Sequence, residues 1–156
     1  MTEWADGLED EPTPEESTET QPSSRSGTLR WAMLWYVAVN LAIGLPLMLF
    51  PVQFLSLIGV DDATADELGG MRWIGAMLVA WAIAALLVVA RPGGRAYFVT
   101  AGALQMTFGA GALVYSSIVN EQLASLWFYT LITVVFVGTA LYLWVVRYRA
   151  KEAFLT

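Results

Sequence analysis

"MRWIGAMLVAWAIAALLVVARPGGR", Met71 to Arg95, decides the fold. From Trp73 to Ala90 no residue is charged, and the run then stops at two arginines bracketing Pro-Gly-Gly. A membrane-spanning helix needs ~20 mostly apolar residues to cross a hydrocarbon layer ~30 Å thick. The stretch Met71–Ala90 meets that length, and so do Arg30–Phe50, Tyr97–Val119 and Gln122–Val146. The expected architecture is therefore all-α: an integral membrane, up-down-up-down four-helix bundle. Its helices are expected over about 30–50, 65–90, 95–119 and 122–147. An interfacial segment covers 51–60, and a short C-terminal tail covers 151–156.

Composition agrees. The 156 residues are 57% hydrophobic and only 14% charged, against about 25% charged in a typical soluble domain. Eight of the acids fall before residue 20, from Glu3 to Glu19, in a segment rich in Glu, Pro, Ser and Thr. That segment has little to bury and cannot offset its ordering entropy, so residues 1–28 are expected to be a disordered acidic tail. It begins acidic and has no early apolar core, which is unlike a signal peptide. The chain contains no cysteine and no histidine, which removes disulfides, thiol chemistry, zinc–thiolate sites and His-ligated haem.

Basic residues mark the cytoplasmic side of a membrane protein. Arg25 and Arg30 precede the first span, Arg91 and Arg95 join the second to the third, and Arg147, Arg149 and Lys151 follow the fourth. With four spans these three places share one side. The opposite side carries Asp61, Asp62, Asp66, Glu67 and Glu121. Both termini are thus expected in the cytoplasm of a multi-pass protein of the cell (plasma) membrane. Trp31 and Trp144 would lie near the inner interface and Trp73 and Trp127 near the outer one, as aromatic belts require. The links Pro92–Gly94 and Asn120–Glu121 are short, which forces antiparallel neighbours.

Arg72 is the exception to this charge pattern. Thr64-x-x-Glu67 reads as a capping box, which starts the second spanning helix near Ala65. Arg72 then lies ~10 Å along that helix at ~1.5 Å per residue, at headgroup depth. No acid stands three or four residues from it. Its partner is a lipid phosphate, an outer-loop carboxylate or Glu121, or a ligand.

Asn40, Phe50-Pro51, the apolar run closing on Leu57-Ile58-Gly59, and Arg72-x-x-Gly75 together resemble small four-helix membrane proteins of the DoxX-like kind. The resemblance covers roughly the first half of the membrane region. The group is named for a subunit associated with a quinol oxidase, and many members have no assigned activity. The resemblance implies a compact bundle that is an accessory partner of a respiratory or redox complex. It transfers no catalytic residue.

Inside the spans no ionisable side chain stands at depth; the candidates are neutral. Asn40 is ten residues from Arg30, Trp81 ten from Arg91, and Gln105 ten from Arg95, each ~15 Å from the inner edge. The indole N–H of Trp81 needs an acceptor when buried, and Asn40 or Gln105 can supply one. The spacing places Gly102, Gln105, Gly109, Ala112 and Ser116 on one face of the third span. Ala76, Ala80 and Ala84 form a small-residue stripe on the second, and Thr130, Thr133, Val137 and Ala140 a comparable stripe on the fourth. Small residues let membrane helices approach closely. The polar layer is either a set of interhelical hydrogen bonds or a pocket for a small quinone-like molecule.

The sequence shows no carboxylate pair, nucleophile with a base, metal-ligand cluster or phosphate loop, so no catalytic, cofactor-binding or metal residue is assigned and no cofactor is expected. No basic patch is large enough for nucleic acid. The expected partners are the lipid bilayer and other membrane subunits or further copies of the chain. Two functions remain open: a non-enzymatic accessory or scaffold protein of a larger membrane complex, and a lipid- or quinone-binding protein or enzyme auxiliary using Arg72, Asn40, Trp81 and Gln105. An oligomeric channel is a third.

Overall fold

The computed structural model describes residues 22–91, 95–119 and 124–149. Among them are five helices and no strand: α1 (Pro22–Leu49), α2 (Pro51–Leu57), α3 (Ala65–Ala90), α4 (Ala96–Ile118) and α5 (Leu126–Arg149). Four of them, α1, α3, α4 and α5, are long and apolar enough to cross a membrane. The chain is an all-α, four-span membrane bundle with one short helix at one end.

The spans begin and end where local chemistry dictates. Thr64 Oγ1 accepts from the Glu67 backbone N–H at 3.4 Å, and Glu67 Oε2 accepts from the Thr64 N–H at 2.7 Å. This reciprocal capping satisfies N–H groups that the first turn of α3 otherwise leaves orphaned. With 26 residues, α3 is ~39 Å long at ~1.5 Å per residue, longer than a hydrocarbon layer ~30 Å thick. α1 starts earlier than the sequence boundary. Residues 22–28, read as part of the tail, are helical and open on Pro22. Proline is tolerated at a first helical position, and extending an anchored helix needs no new nucleus. The rest of the expected tail, the expected C-terminal tail, the links 92–94 and 120–123, and Glu121 lie outside the described residues.

α1 packs closely along α3, and α4 along α5; the two pairs meet more loosely through α1–α5 and α3–α4 contacts. The first pair is held together by glycine. A Cβ on Gly75 would lie 2.6 Å from Met48 N and 2.7 Å from the Gly44 carbonyl oxygen, and one on Gly44 would meet Leu78 Cβ at 2.9 Å. Only glycine permits that backbone approach, as in other membrane helix pairs. The face α3 turns inward is therefore Gly75, Ala82, Ala85 and Val88. The expected stripe is a correction: Ala76 and Ala80 are exposed and Ala84 is half-buried. α3 is small on several sides, and the approach of Gly44 selects which side packs.

On α4 the inward residues are Val99, Gly102, Ala103, Met106 and Ala110. Gly102 faces the Tyr36 ring and Gly109 the Phe136 ring, as a tight seam requires, but Ala112 is exposed. On α5, Thr139, Ala140, Leu143 and Val146 are buried while Thr130 and Val137 are exposed, so only Ala140 of the expected stripe is in the packing face.

α2 folds back onto the bundle. Pro51, Leu55 and Ile58 are buried, while Val52 and Leu57 face outward. Gly59 takes φ +90°, a conformation that glycine adopts without Cβ strain. The turn lets the Ile58 carbonyl accept from the Ser125 N–H at 2.7 Å. The ring of Phe54 meets that of Phe128 edge-on, with centroids 5.9 Å apart. The α2 end is thus tied to the start of α5.

Candidate polar layer and the Arg72 face

α1 carries Tyr36 and Asn40 one turn apart, and both are fully buried. Across the bundle α4 presents Gln105, half-buried. The Tyr36 hydroxyl donates to Gln105 Oε1. That leaves Gln105 Nε2 to donate, and it reaches Asn40 Oδ1 at 3.5 Å, a long bond. Asn40 Nδ2 in turn donates to the Tyr36 backbone carbonyl at 2.9 Å. The circuit runs from α1 to α4 and back, and each amide both donates and accepts. Buried polar groups are costly when unpaired, and here they pair with one another.

The structure thus brings Asn40 and Gln105 together, as equal depth suggested. It does not bring Trp81 to them. Trp81 stacks at a tilt on Phe98 of α4, with ring centroids 5.3 Å apart, and its indole N–H makes no hydrogen bond among the described residues. Depth sets the height of a side chain but not the direction it faces round the helix. Tyr36 was missed by the sequence reading. The available signal was its position four residues before Asn40, which puts both on one helical face.

Three further bonds fasten α5. Trp35 Nε1 donates to the buried Thr139 Oγ1 at 3.0 Å, Trp144 Nε1 to Thr107 Oγ1 at 3.1 Å, and Arg147 Nε to Thr100 Oγ1 at 2.9 Å. The Thr107 and Thr100 hydroxyls pass their own protons to carbonyls one turn back, at Ala103 and Ala96. Each of these two threonines serves as a relay between a neighbouring helix and its own backbone.

Arg72 is exposed, beside Trp73, which is 67% exposed. Among the described residues it forms no ion pair, and the acids Asp61 and Glu67 are engaged elsewhere. Ser56 Oγ donates to Asp61 at 2.8 Å, and Glu67 serves the cap. The described outer loop therefore does not supply its partner.

Two apolar cavities lie at the α2 end. One, of about 330 Å³, is a groove between α1 and α5; the other, of about 240 Å³, is a partly open cleft beneath α2. Neither is lined by Asn40, Trp81 or Gln105. Asn40 and Gln105 thus tie α1 to α4 at the residues described and line neither of these two cavities. Among the described residues no group of three Asp, Glu, His or Cys side chains could hold a metal.

Comparisons with protein-family models, with curated proteins and with solved structures found no match to this chain.

Proposed function

We propose that this is a non-enzymatic integral membrane protein that works as an accessory or scaffold subunit of a larger membrane complex. The reading takes it as a DoxX-like bundle of the plasma membrane with both termini cytoplasmic. One observation carries it: α3 turns Trp73, Ala76 and Ala80 outward, with Arg72 at the end of that face, while Asn40 and Gln105 pair with each other and with Tyr36 inside the bundle. Small residues on an exposed membrane face allow a second helix to approach closely, and an arginine at its edge can meet a carboxylate or phosphate bidentately.

The test is native purification of the full chain in mild detergent, with its mass and companions compared between wild type, Ala80→Phe and Val134→Phe. Val134 is exposed on α5 and serves as the control. The expected result is a companion protein lost only from Ala80→Phe. An identical mass and composition in all three would overturn the reading.

A second reading, lipid binding, is supported by the apolar cavities at the α2 end. The pair Asn40–Gln105 does not support it, because both amides already have partners inside the bundle. The channel reading finds no support in the α3 face, whose outward residues Trp73, Ala76 and Ala80 are apolar or small.

A further inference from the structure

We infer that the α2 end of the bundle holds one hydrocarbon chain of an amine-headed phospholipid, drawn sideways from the adjoining leaflet through the α1–α5 groove. The inference does not depend on the accessory role; it rests on the four spans and on the cavities.

The groove opens on the bilayer. Its walls include Ala38, Ala42 and Leu131, all exposed, on the seam where the α1–α3 pair meets the α4–α5 pair. The cleft beneath α2 adjoins it. The two share Ile43, Phe54, Phe128 and Ile132 as walls, so the Phe54–Phe128 ring pair stands between them. The inner walls include Leu47, Leu55 and Ile58, which are 6%, 4% and 6% exposed. An apolar cavity of about 240 Å³ is much larger than the ~30 Å³ share of one water and offers water no partners. Left empty, it forfeits the contacts its lining would otherwise make. In a bilayer the apolar matter always present beside such a groove is a lipid chain.

Two polar groups stand among these apolar walls. Tyr129 is 9% exposed and lines the cleft beneath α2, and its hydroxyl has no hydrogen-bond partner among the described residues. The phenol O–H is a free donor on the cavity wall, and the ester carbonyl at the top of an acyl chain is an acceptor of the right kind. Glu67, in the first turn of α3, also lines this cavity, with Asp66 beside it and Asp61 and Asp62 in the preceding link, all exposed. Arg72 is not a wall; it follows the wall residue Met71 and points ~100° round the helix. Negative charge on the α3 side of this cavity selects against an anionic head and for one that carries an ammonium. Mostly apolar lining with a few placed polar groups is the usual composition of a small-molecule site.

The experiment uses the full chain in phosphatidylcholine vesicles doped with phosphatidylethanolamine that carries a diazirine near the end of one acyl chain. Adducts are mapped by mass spectrometry after photolysis. The expected adducts fall on Leu47, Leu55 or Tyr129, which bulk lipid does not reach, as well as on bilayer-facing residues. Ile132→Trp, which fills the shared wall, removes the buried adducts and leaves those on Val134 and Leu141. Ala42→Phe, at the groove mouth, does the same without lining the cleft beneath α2. Tyr129→Phe lowers the buried labelling, and the same probe with a phosphatidylglycerol head labels those walls less. Adducts confined to exposed residues in the wild type would overturn the site. So would buried labelling unchanged in both Ile132→Trp and Ala42→Phe. Equal buried labelling by the two heads would overturn the choice of an amine-headed lipid.

Discussion

The Tyr36 hydroxyl donates to Gln105 Oε1, joining α1 to α4 through the middle of the bundle, and Asn40 closes the circuit. Interhelical hydrogen bonds in membranes average only ~0.6 kcal/mol, with a maximum near ~1.7. A buried donor left without its partner costs about 1–3 kcal/mol. Gln105→Leu strands both the Tyr36 hydroxyl and one side of Asn40, so it should destabilise the bundle by about 1–2 kcal/mol, read from reversible unfolding in mixed micelles. Tyr36→Phe added to Gln105→Leu removes the orphan, so the double variant should lose less than the sum of the two single ones. Strict additivity would mean that the two side chains are not coupled. Trp81 emission should be indifferent to Gln105→Leu, because Trp81 packs on Phe98.

The Gly44–Gly75 crossing should be the least forgiving point of the α1–α3 pair. Gly75→Ala places a methyl 2.6 Å from a backbone nitrogen, which side-chain motion cannot relieve. The helices must separate, at a cost of about 1–3 kcal/mol. Gly69→Ala on the same helix meets nothing within 4 Å and should be neutral or slightly stabilising, since alanine favours helix over glycine. Thermal unfolding of the two variants side by side checks this. Equal midpoints would place the crossing elsewhere.

Arg72 should matter to the surroundings of the protein more than to its own packing. It has no ion pair among the described residues, so Arg72→Gln should leave unfolding in neutral detergent nearly unchanged. If its partner is a lipid phosphate, the stability gained on adding anionic lipid should fall in Arg72→Gln and be largely kept in Arg72→Lys. A loss of stability in neutral detergent would show instead a contact within the chain.

The sequence was most readable where one residue type has one physical solution. Runs of apolar residues set the four spans. Thr64-x-x-Glu67 set the start of α3, and the capping bonds stand where that pattern puts them. Equal distance from the basic anchors set the depth of Asn40 and Gln105. The direction each residue faces round its helix was far less readable. In a membrane both the lipid-facing and the packed sides are apolar, so hydrophobic periodicity, which orients a soluble helix, carries little information. α3 shows this: Ala76 and Ala80 made a stripe as plausible as Gly75 with Ala82 and Ala85, and only the partner Gly44 on α1 decides between them. Trp81 was assigned the wrong neighbour for the same reason. The cavities at the α2 end depend on how loosely the two helix pairs meet, which no local pattern encodes.

The most direct measurement is sidedness. The accessory reading assumes a four-span bundle with the α2 end outside and the basic ends in the cytoplasm. In intact cells, a cysteine at Asp62, which is exposed in the α2–α3 link, should react with an impermeant thiol reagent. A cysteine at Gly93, in the link between α3 and α4, should react only after the membrane is opened. The native chain has no cysteine, so each label reports one position. Labelling of Gly93→Cys from outside with Asp62→Cys protected would invert the topology, and labelling of both from outside would contradict the spanning of α3 itself.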